Sequence, residues 1–183
     1  MELETALADR IAAQRKARSW SLADLAEHSG VSRSMLSKIE RCEASPTATV
    51  LLKIASAFGL TLAELLTTDE AGAARRLSRD DQPTWIDPAS GYLRRQVFLS
   101  AAMPLELVEV ELPAGASVAA PASSYVLIRQ VLWVLDGELT VVEGGEPTAL
   151  KRGDRLEFGP PSDVVFRNHG PRPCRYLVAV VRS

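Results

Sequence analysis

The stretch Ser32–Arg41 (SRSMLSKIER) gathers hydroxyls and cations at spacings that one helix face can present together. Leu36 and Ile39 form its inward stripe, leaving Ser32, Arg33, Ser34, Ser37, Lys38 and Arg41 outside. Arginine or lysine held this way can donate to guanine O6 and N7, worth about 1–3 kcal/mol of base discrimination when bidentate. A polar outer face is equally the ordinary covering of a solvated helix. Chemistry elsewhere is sparse. His28 and His169 are the only histidines, Cys42 and Cys174 the only cysteines, and neither pair has the spacing of a metal motif or a disulfide framework. Packing is the first reading for both cysteines, ahead of redox sensing.

The elements that must position this face begin at Ser21. Ser21 is placed to N-cap a helix with Asp24 as its capping-box partner, and Trp20 with Leu25 as a hydrophobic staple. Leu22, Leu25 and Ala26 point inward and Gly30 ends the helix. Ser32 then caps the next one, with Val31 and Leu36 as its staple. Two short helices around a glycine turn, the second polar and basic outside, form the helix-turn-helix arrangement that enters a major groove. Ahead of them, Leu3, Leu7 and Ile11 predict a helix over residues 3–18. Its terminal Arg15, Lys16 and Arg18 suit either the helix dipole or phosphate contacts. Behind, Ser45-Pro46-Thr47 starts a helix with proline in its first turn, and Val50, Leu51, Ile54, Ala55 and Phe58 are its core face. Gly59 stops it. Thr61 with Glu64, and Leu60 with Leu65, open a fifth helix ending near Leu66. Residues 1–66 therefore read as one all-α domain.

Periodicity lapses over residues 67–81, read as a linker with a helical stub around Ala71–Leu77. Residues 82–183 change to period two. Leu105, Leu107 and Glu109 alternate with Glu106, Val108 and Val110 up to the Pro113–Gly115 turn. Gln130–Leu135 and Glu138–Val142 flank Asp136-Gly137, a strong hairpin signal. Turns at Glu143–Glu146, Gly153-Asp154 and Gly159-Pro160-Pro161 separate further short strands, and Cys174–Val181 is the last. Such spacing predicts an antiparallel sandwich or barrel. Gln130 shares a face with Leu132 and Val134, where it serves either a ligand or a core hydrogen bond. Val164, Phe166 and Asn168 share another face. Arg94 and Arg95, adjacent in one strand, cannot both point inward, so one of them is free to take an anionic effector.

The 183 residues carry a formal net charge of -2 and 46% hydrophobic side chains, so cores can form but no global basic signature marks a nucleic-acid binder. No apolar run approaches a membrane span and the N-terminus lacks a signal pattern, which gives the expectation of a cytoplasmic protein with no membrane contact.

The first domain, SLADLAEHSGVSRSMLSKIERCEASPTATVLLKIASAFGLTLAELL, resembles the lambda-repressor-like, or XRE, helix-turn-helix family over its whole length. The resemblance implies base reading by Ser32, Arg33, Ser34, Ser37 and Lys38, and phosphate contacts from Ser21 and Arg41. Cys42 stands where that family usually ends the recognition helix with glycine. The loop is then either re-shaped, or the cysteine holds a strained positive φ for another reason.

The second domain resembles a cupin jelly roll through PAGASV at Pro113–Val118, VLWVLDGELTV at Val131–Val141 and KRGDRLEFGPPSDVVFRN at Lys151–Asn168. Aligned on Gly137 and Gly153, the family's metal-binding histidines fall on Ser124 and Val126, or Ser123 and Tyr125, and on Val164. Its glutamate falls on Gln130. Hydroxyls and an amide do not replace imidazoles and a carboxylate for Zn, Fe or Mn. The resemblance thus implies a metal-free, cofactor-free barrel in which Tyr125, Gln130, Trp133 and Arg129 lie where the family's cavity is lined; Asn168 and Arg94 complete the expected effector contacts. The expected whole is a two-domain α + β chain, a five-helix repressor-like bundle followed by a linker and an antiparallel jelly roll. It would act as a homodimeric regulator on a palindromic double-stranded DNA operator, its affinity shifted by a small molecule in the barrel, and not as an enzyme. The competing readings are a cupin enzyme with a helical appendage and a protein-interaction module.

Overall fold

The computed structural model describes residues 2–66, 75–100 and 102–182, apart from the side chains of residues 2 and 3. Leu3 as a core residue and most of the stub at Ala71–Leu77 lie outside the described residues. Arg75–Leu77 are not helical.

Among the described residues five helices come first: α1 (Glu2–Ala17), α2 (Leu22–Ser29), α3 (Arg33–Glu40), α4 (Ala48–Phe58) and α5 (Leu62–Leu66). Local chemistry sets their ends. Ser21 and Asp24 form a complete capping box on α2, Ser32 Oγ accepts from the Met35 N–H on α3, and Thr61 with Glu64 closes a second box on α5. Gly30 (φ 66°) and Gly59 (φ 69°) end α2 and α4 in the left-handed region. The start of α4 differs from the expectation. Its N-cap is Thr47, and Pro46 precedes the cap instead of sitting in the first turn. Leu7, Ile11, Leu25, Leu36, Leu51, Ile54 and Leu65 are buried together as the core of this bundle.

Ten strands follow among the described residues: β1 (Thr84–Ile86), β2 (Leu93–Ser100), β3 (Met103–Leu112), β4 (Ser117–Ala120), β5 (Ile128–Asp136), β6 (Glu138–Glu143), β7 (Glu146–Lys151), β8 (Arg155–Glu157), β9 (Val164–Arg167) and β10 (Cys174–Arg182). They form two facing antiparallel sheets, one ordered β1-β2-β3-β10-β5-β8 and the other β4-β9-β6-β7. This is the double-sheet jelly-roll architecture expected.

One expected pairing is absent. β5 and β6 flank Asp136-Gly137 but lie in different sheets, so the Asp-Gly pair is a corner and not a hairpin. Gly137 (φ 82°) supplies the left-handed turn, and a Cβ there would come within 3.0 Å of Cys174 Cα and the Pro173 carbonyl. The chain turns there because it must pass the incoming β10. The hairpin of this region joins β6 and β7 through Gly144-Gly145 instead.

Register arranges the inner face of the large sheet in rows. Glu106, Val180 and Gln130 lie side by side on β3, β10 and β5. Gln96, Val108, Val178 and Leu132 form the next row, and Arg94, Val110, Tyr176 and Val134 the third. Two residues along a strand advance about 6.8 Å, so these rows are layers of a barrel interior.

Candidate functional site

On α3 the structure separates charges by face. Leu36 and Ile39 are buried, at 0% and 2% exposure. Ser32, Arg33, Ser34, Lys38 and Arg41 are exposed and Ser37 is half-buried. The helix's one acid, Glu40, is turned inward and held by Arg15 of α1 in a bidentate pair at 2.7 Å, with Arg15 also donating to the Trp20 carbonyl. The pairing raises the Arg15 pKa further. With Glu40 spent, the outer face of α3 carries cations and hydroxyls. Ser32 and Ser34 hydroxyls lie 3.2 Å apart at its first turn, and Arg41 makes an exposed pair with Glu43 that is worth little in solvent. Ser21 is exposed at the start of α2, its hydroxyl engaged in the capping box. The Ser21 and Asp24 backbone and side-chain bonds hold the Asp24 carboxyl below its usual range.

The basic end of α1 resolves into architecture. Arg15 ties α1 to α3, and Arg18 donates to the Gln14 side chain and the Phe58 carbonyl while its guanidinium lies over the Trp20 and Phe58 rings. Only Lys16 of that trio is fully exposed. Trp20 also stacks on His28, which leaves that histidine in an aromatic contact on the surface.

Cys42 takes the glycine conformation with φ 57°. The bonds Cys42 N–H to Ile39 carbonyl and Glu43 N–H to Lys38 carbonyl complete a Schellman cap. The loop is therefore not re-shaped; the cysteine absorbs the strain. Cys42 is exposed, so packing does not explain it, whereas Cys174 is fully buried and its thiol is pushed up to about 11.

The second feature is a cavity of about 90 Å³ shared by the two domains. Its β wall is the row system described above, with Arg94, Glu106, Gln130, Tyr125 and Ser124 among the polar lining. Its lid comes from Leu52, Ala55 and Ser56 of α4 and Leu60–Leu62 at the start of α5. Five polar contacts hold the lid down. The Ala48 N–H donates to Asp87 Oδ1 at 2.9 Å, Thr49 Oγ1 to the Ala119 carbonyl at 2.8 Å, and Thr61 Oγ1 to Glu106 Oε1 at 2.6 Å. Ser56 and Ser124 hydroxyls lie 3.1 Å apart, and Arg182 pairs with Glu64.

The cavity holds unspent polar capacity. Glu106 is 4% exposed and its Oε2 is buried without a hydrogen-bond partner, as is Nε2 of Gln130. Burial raises the Glu106 pKa, opposed by the Thr61 hydroxyl and by Arg94. Tyr125 lies beside Gln130, and burial keeps its phenol protonated.

Not every expected lining residue is there. Asn168 is buried but lies outside this cavity: its Nδ2 donates to the carbonyls of Leu112, Pro113 and Arg172 and its Oδ1 accepts from Gly170. An amide saturated by four backbone groups has nothing left for a ligand. Trp133 and Arg129 stand on the outer side of β5, one residue out of phase with the inner row, and Trp133 is 49% exposed. Conversely, Glu106, Thr61, Ser56 and Asp87 were not predicted as site residues. For Glu106 a signal existed, an acid in phase with Val108, Val110 and Leu112 on an otherwise apolar row.

Residues 11–65 match the HTH_3 helix-turn-helix family model, so the chain carries an XRE-type helix-turn-helix domain, and a double-sheet β domain lies behind it. Among curated proteins it is similar to the HTH-type transcriptional regulator SutR of Escherichia coli K12, 28% identical over 162 residues that cover 88% of this chain and 86% of SutR. Among solved structures it is similar to an HTH_3 family transcriptional regulator from Vibrio cholerae, with a TM-score of 0.81 and 22% identity over 98% of this chain and 97% of that one. That likeness covers the fold of both domains. A more distant likeness is to iron(II)-bound HppE, with a TM-score of 0.50 and 19% identity over 98% of this chain and 99% of that one.

The donor set here does not suit an iron of that kind. The cavity offers one carboxylate, Glu106, and no imidazole. Among the described residues no group of three or more His, Cys, Asp or Glu could hold a metal ion. No described helix is long and apolar enough to cross a membrane.

Proposed function

We propose that the protein is a cytoplasmic, sequence-specific transcriptional regulator that binds a palindromic operator as a homodimer and responds to a small molecule in its metal-free barrel. The observation that carries the reading is the charge separation on α3, where Arg15 removes Glu40 from the outer face and leaves Arg33 and Lys38 to the groove. In this reading Ser32, Arg33, Ser34, Ser37 and Lys38 read bases, and Ser21 and Arg41 meet phosphates. The chain divides into a reading head at 1–66, a linker at 67–81 and a sensor at 82–183. It performs no catalysis.

The dimer has a candidate surface. Trp133 of β5 pairs across to Leu177 of β10, Ala179 to Val131 and Leu107, and Val181 to Leu105, all on the outer side of the large sheet. Trp133 and Val181 are 49% and 43% exposed. The apolar stripe runs across three adjacent strands, with Glu109 beside Leu177 and Arg129 beside Val181 at its edges, and a second copy of the same stripe covers it with two-fold symmetry. The lid contacts supply the coupling: α4 and α5 belong to the reading head and also close the cavity, so an occupant that favours one lid position favours one arrangement of the heads.

Footprinting on the promoter of the protein's own gene, at low salt and with rising salt, tests this. The expected result is two protected half-sites about 34–36 Å apart that fade with salt. The absence of both a footprint and salt-dependent retention on DNA would overturn it.

A further inference from the structure

Two charged groups face the cavity without meeting. Arg94 lies on the third row of the sheet and Glu106 on the first, close enough for the cation to act on the carboxylate. Among the described residues no carboxylate reaches salt-bridge distance of the Arg94 guanidinium. Glu106 is satisfied on one side alone: Oε1 takes the Thr61 hydroxyl, while Oε2 is buried and unpartnered. A buried carboxylate oxygen without a partner is costly, and an occupant with neither charge would give no counter-charge to Glu106 or to the half-buried Arg94. A simple anion would serve Arg94 and face Glu106 with like charge; a simple cation would do the reverse. A molecule with both charges at one end satisfies both.

Size and lining narrow it further. At about 10–15 Å³ of such space per water-sized atom, the 90 Å³ cavity has room for roughly six to nine non-hydrogen atoms. An α-amino and carboxylate head uses about five of these, leaving a short side chain. The rest of the wall combines apolar side chains, Leu52, Val110, Phe166 and Val178, with the polar Gln130, Tyr125 and Ser124.

We propose that this cavity binds a small zwitterion of the α-amino-acid class, its ammonium on Glu106 Oε2 and its carboxylate on Arg94. The inference deepens the effector reading above and rests on it for its regulatory meaning. It also gives the coupling an atomic route. The ligand's ammonium and the Thr61 hydroxyl at the start of α5 would share the two oxygens of one carboxylate, so occupancy bears directly on the lid.

The test is calorimetry and thermal denaturation of the full-length protein with L-alanine, L-serine and L-valine, against propionate, propylamine, N-acetyl-L-alanine and L-alaninamide. At least one of the three zwitterions is expected to bind and raise the Tm. Blocking either charge should weaken that binding tenfold or more. In Glu106→Gln the penalty for N-acetylation should vanish, and in Arg94→Gln the penalty for amidation should vanish. If either variant fails to fold, the comparison of blocked and free compounds on the parent protein still decides. Propionate or propylamine binding as well as alanine, or no zwitterion binding at millimolar concentration, would overturn the inference. DNA affinity measured with the same compounds separates the two readings. A zwitterion that binds without changing DNA affinity leaves the site assignment standing and removes its role as effector. A neutral solute that changes DNA affinity while the zwitterions are inert does the opposite.

Discussion

Replacing Asp87 by alanine should reveal how firmly the reading head is fastened to the sensor. Asp87 is 3% exposed and belongs to the turn between β1 and β2, yet its Oδ1 accepts the Ala48 N–H in the first turn of α4. Its Oδ2 accepts both the backbone N–H and the hydroxyl of Ser90. Truncation leaves two backbone N–H groups without their acceptor and removes a carboxylate from a helix N-terminus. Hydrogen bonds to a charged group are worth about 1.5–3 kcal/mol each, and the favourable end charge adds about 0.3–1 kcal/mol. Water reaching the exposed turn recovers part of this, so about 3 kcal/mol is the expected loss. For a chain of this length that lowers the Tm by roughly 6–12 °C. Urea denaturation followed by helical and tryptophan signals reads it, and Asp87→Asn should recover part of the loss. A loss below about 1 kcal/mol would mean that solvent replaces the cross-domain cap and that Asp87 does not fasten the two domains.

Three further outcomes follow from single side chains. Cys42→Gly should stabilise the protein by about 1 kcal/mol in the same denaturation assay, because glycine holds the φ of 57° without the Cβ clash. Asn168→Ala should cost roughly 2–4 kcal/mol by freeing four backbone groups, yet leave ligand affinity unchanged in the folded protein at low temperature. Burial raises the Glu106 pKa, so between the ordinary carboxylate value and the raised one the folded form holds a proton that the unfolded chain has released. That contribution to stability is present below the ordinary carboxylate range and lost as pH rises through the raised value. Glu109, held down by Arg79, contributes with the opposite sign, lost as pH falls. A pH series of urea midpoints should show the first slope in the parent and its absence in Glu106→Gln.

What the sequence revealed follows the range of the forces involved. Helix ends are written within four residues, so Ser21 with Asp24, Ser32, Gly30, Gly59 and Thr61 with Glu64 were all legible. Strand existence was legible from period two. Partners distant in the chain were not. Asp136-Gly137 carries the local chemistry of a hairpin, but which strand lies beside β5 is decided by β10, some forty residues on. Arg15 and Arg18 read as free cations until Glu40 and the Phe58 carbonyl come into place. Of the lining residues expected, Arg94, Tyr125 and Gln130 border the cavity, whereas Trp133 and Arg129 face outward and Asn168 anchors a loop. The lid was invisible altogether, since Thr61 and Ser56 are ordinary helix residues until the second domain is folded beneath them.

DNA reading is assigned to the outer face of α3. Fluorescence anisotropy on the footprinted operator, comparing the parent with Arg33→Ala and Lys38→Ala against a scrambled duplex, tests it most directly. Loss of a bidentate base contact should weaken operator binding roughly ten- to a hundred-fold while binding to the scrambled duplex changes little. Operator affinity equal to the parent's in both variants would mean that this face does not read bases.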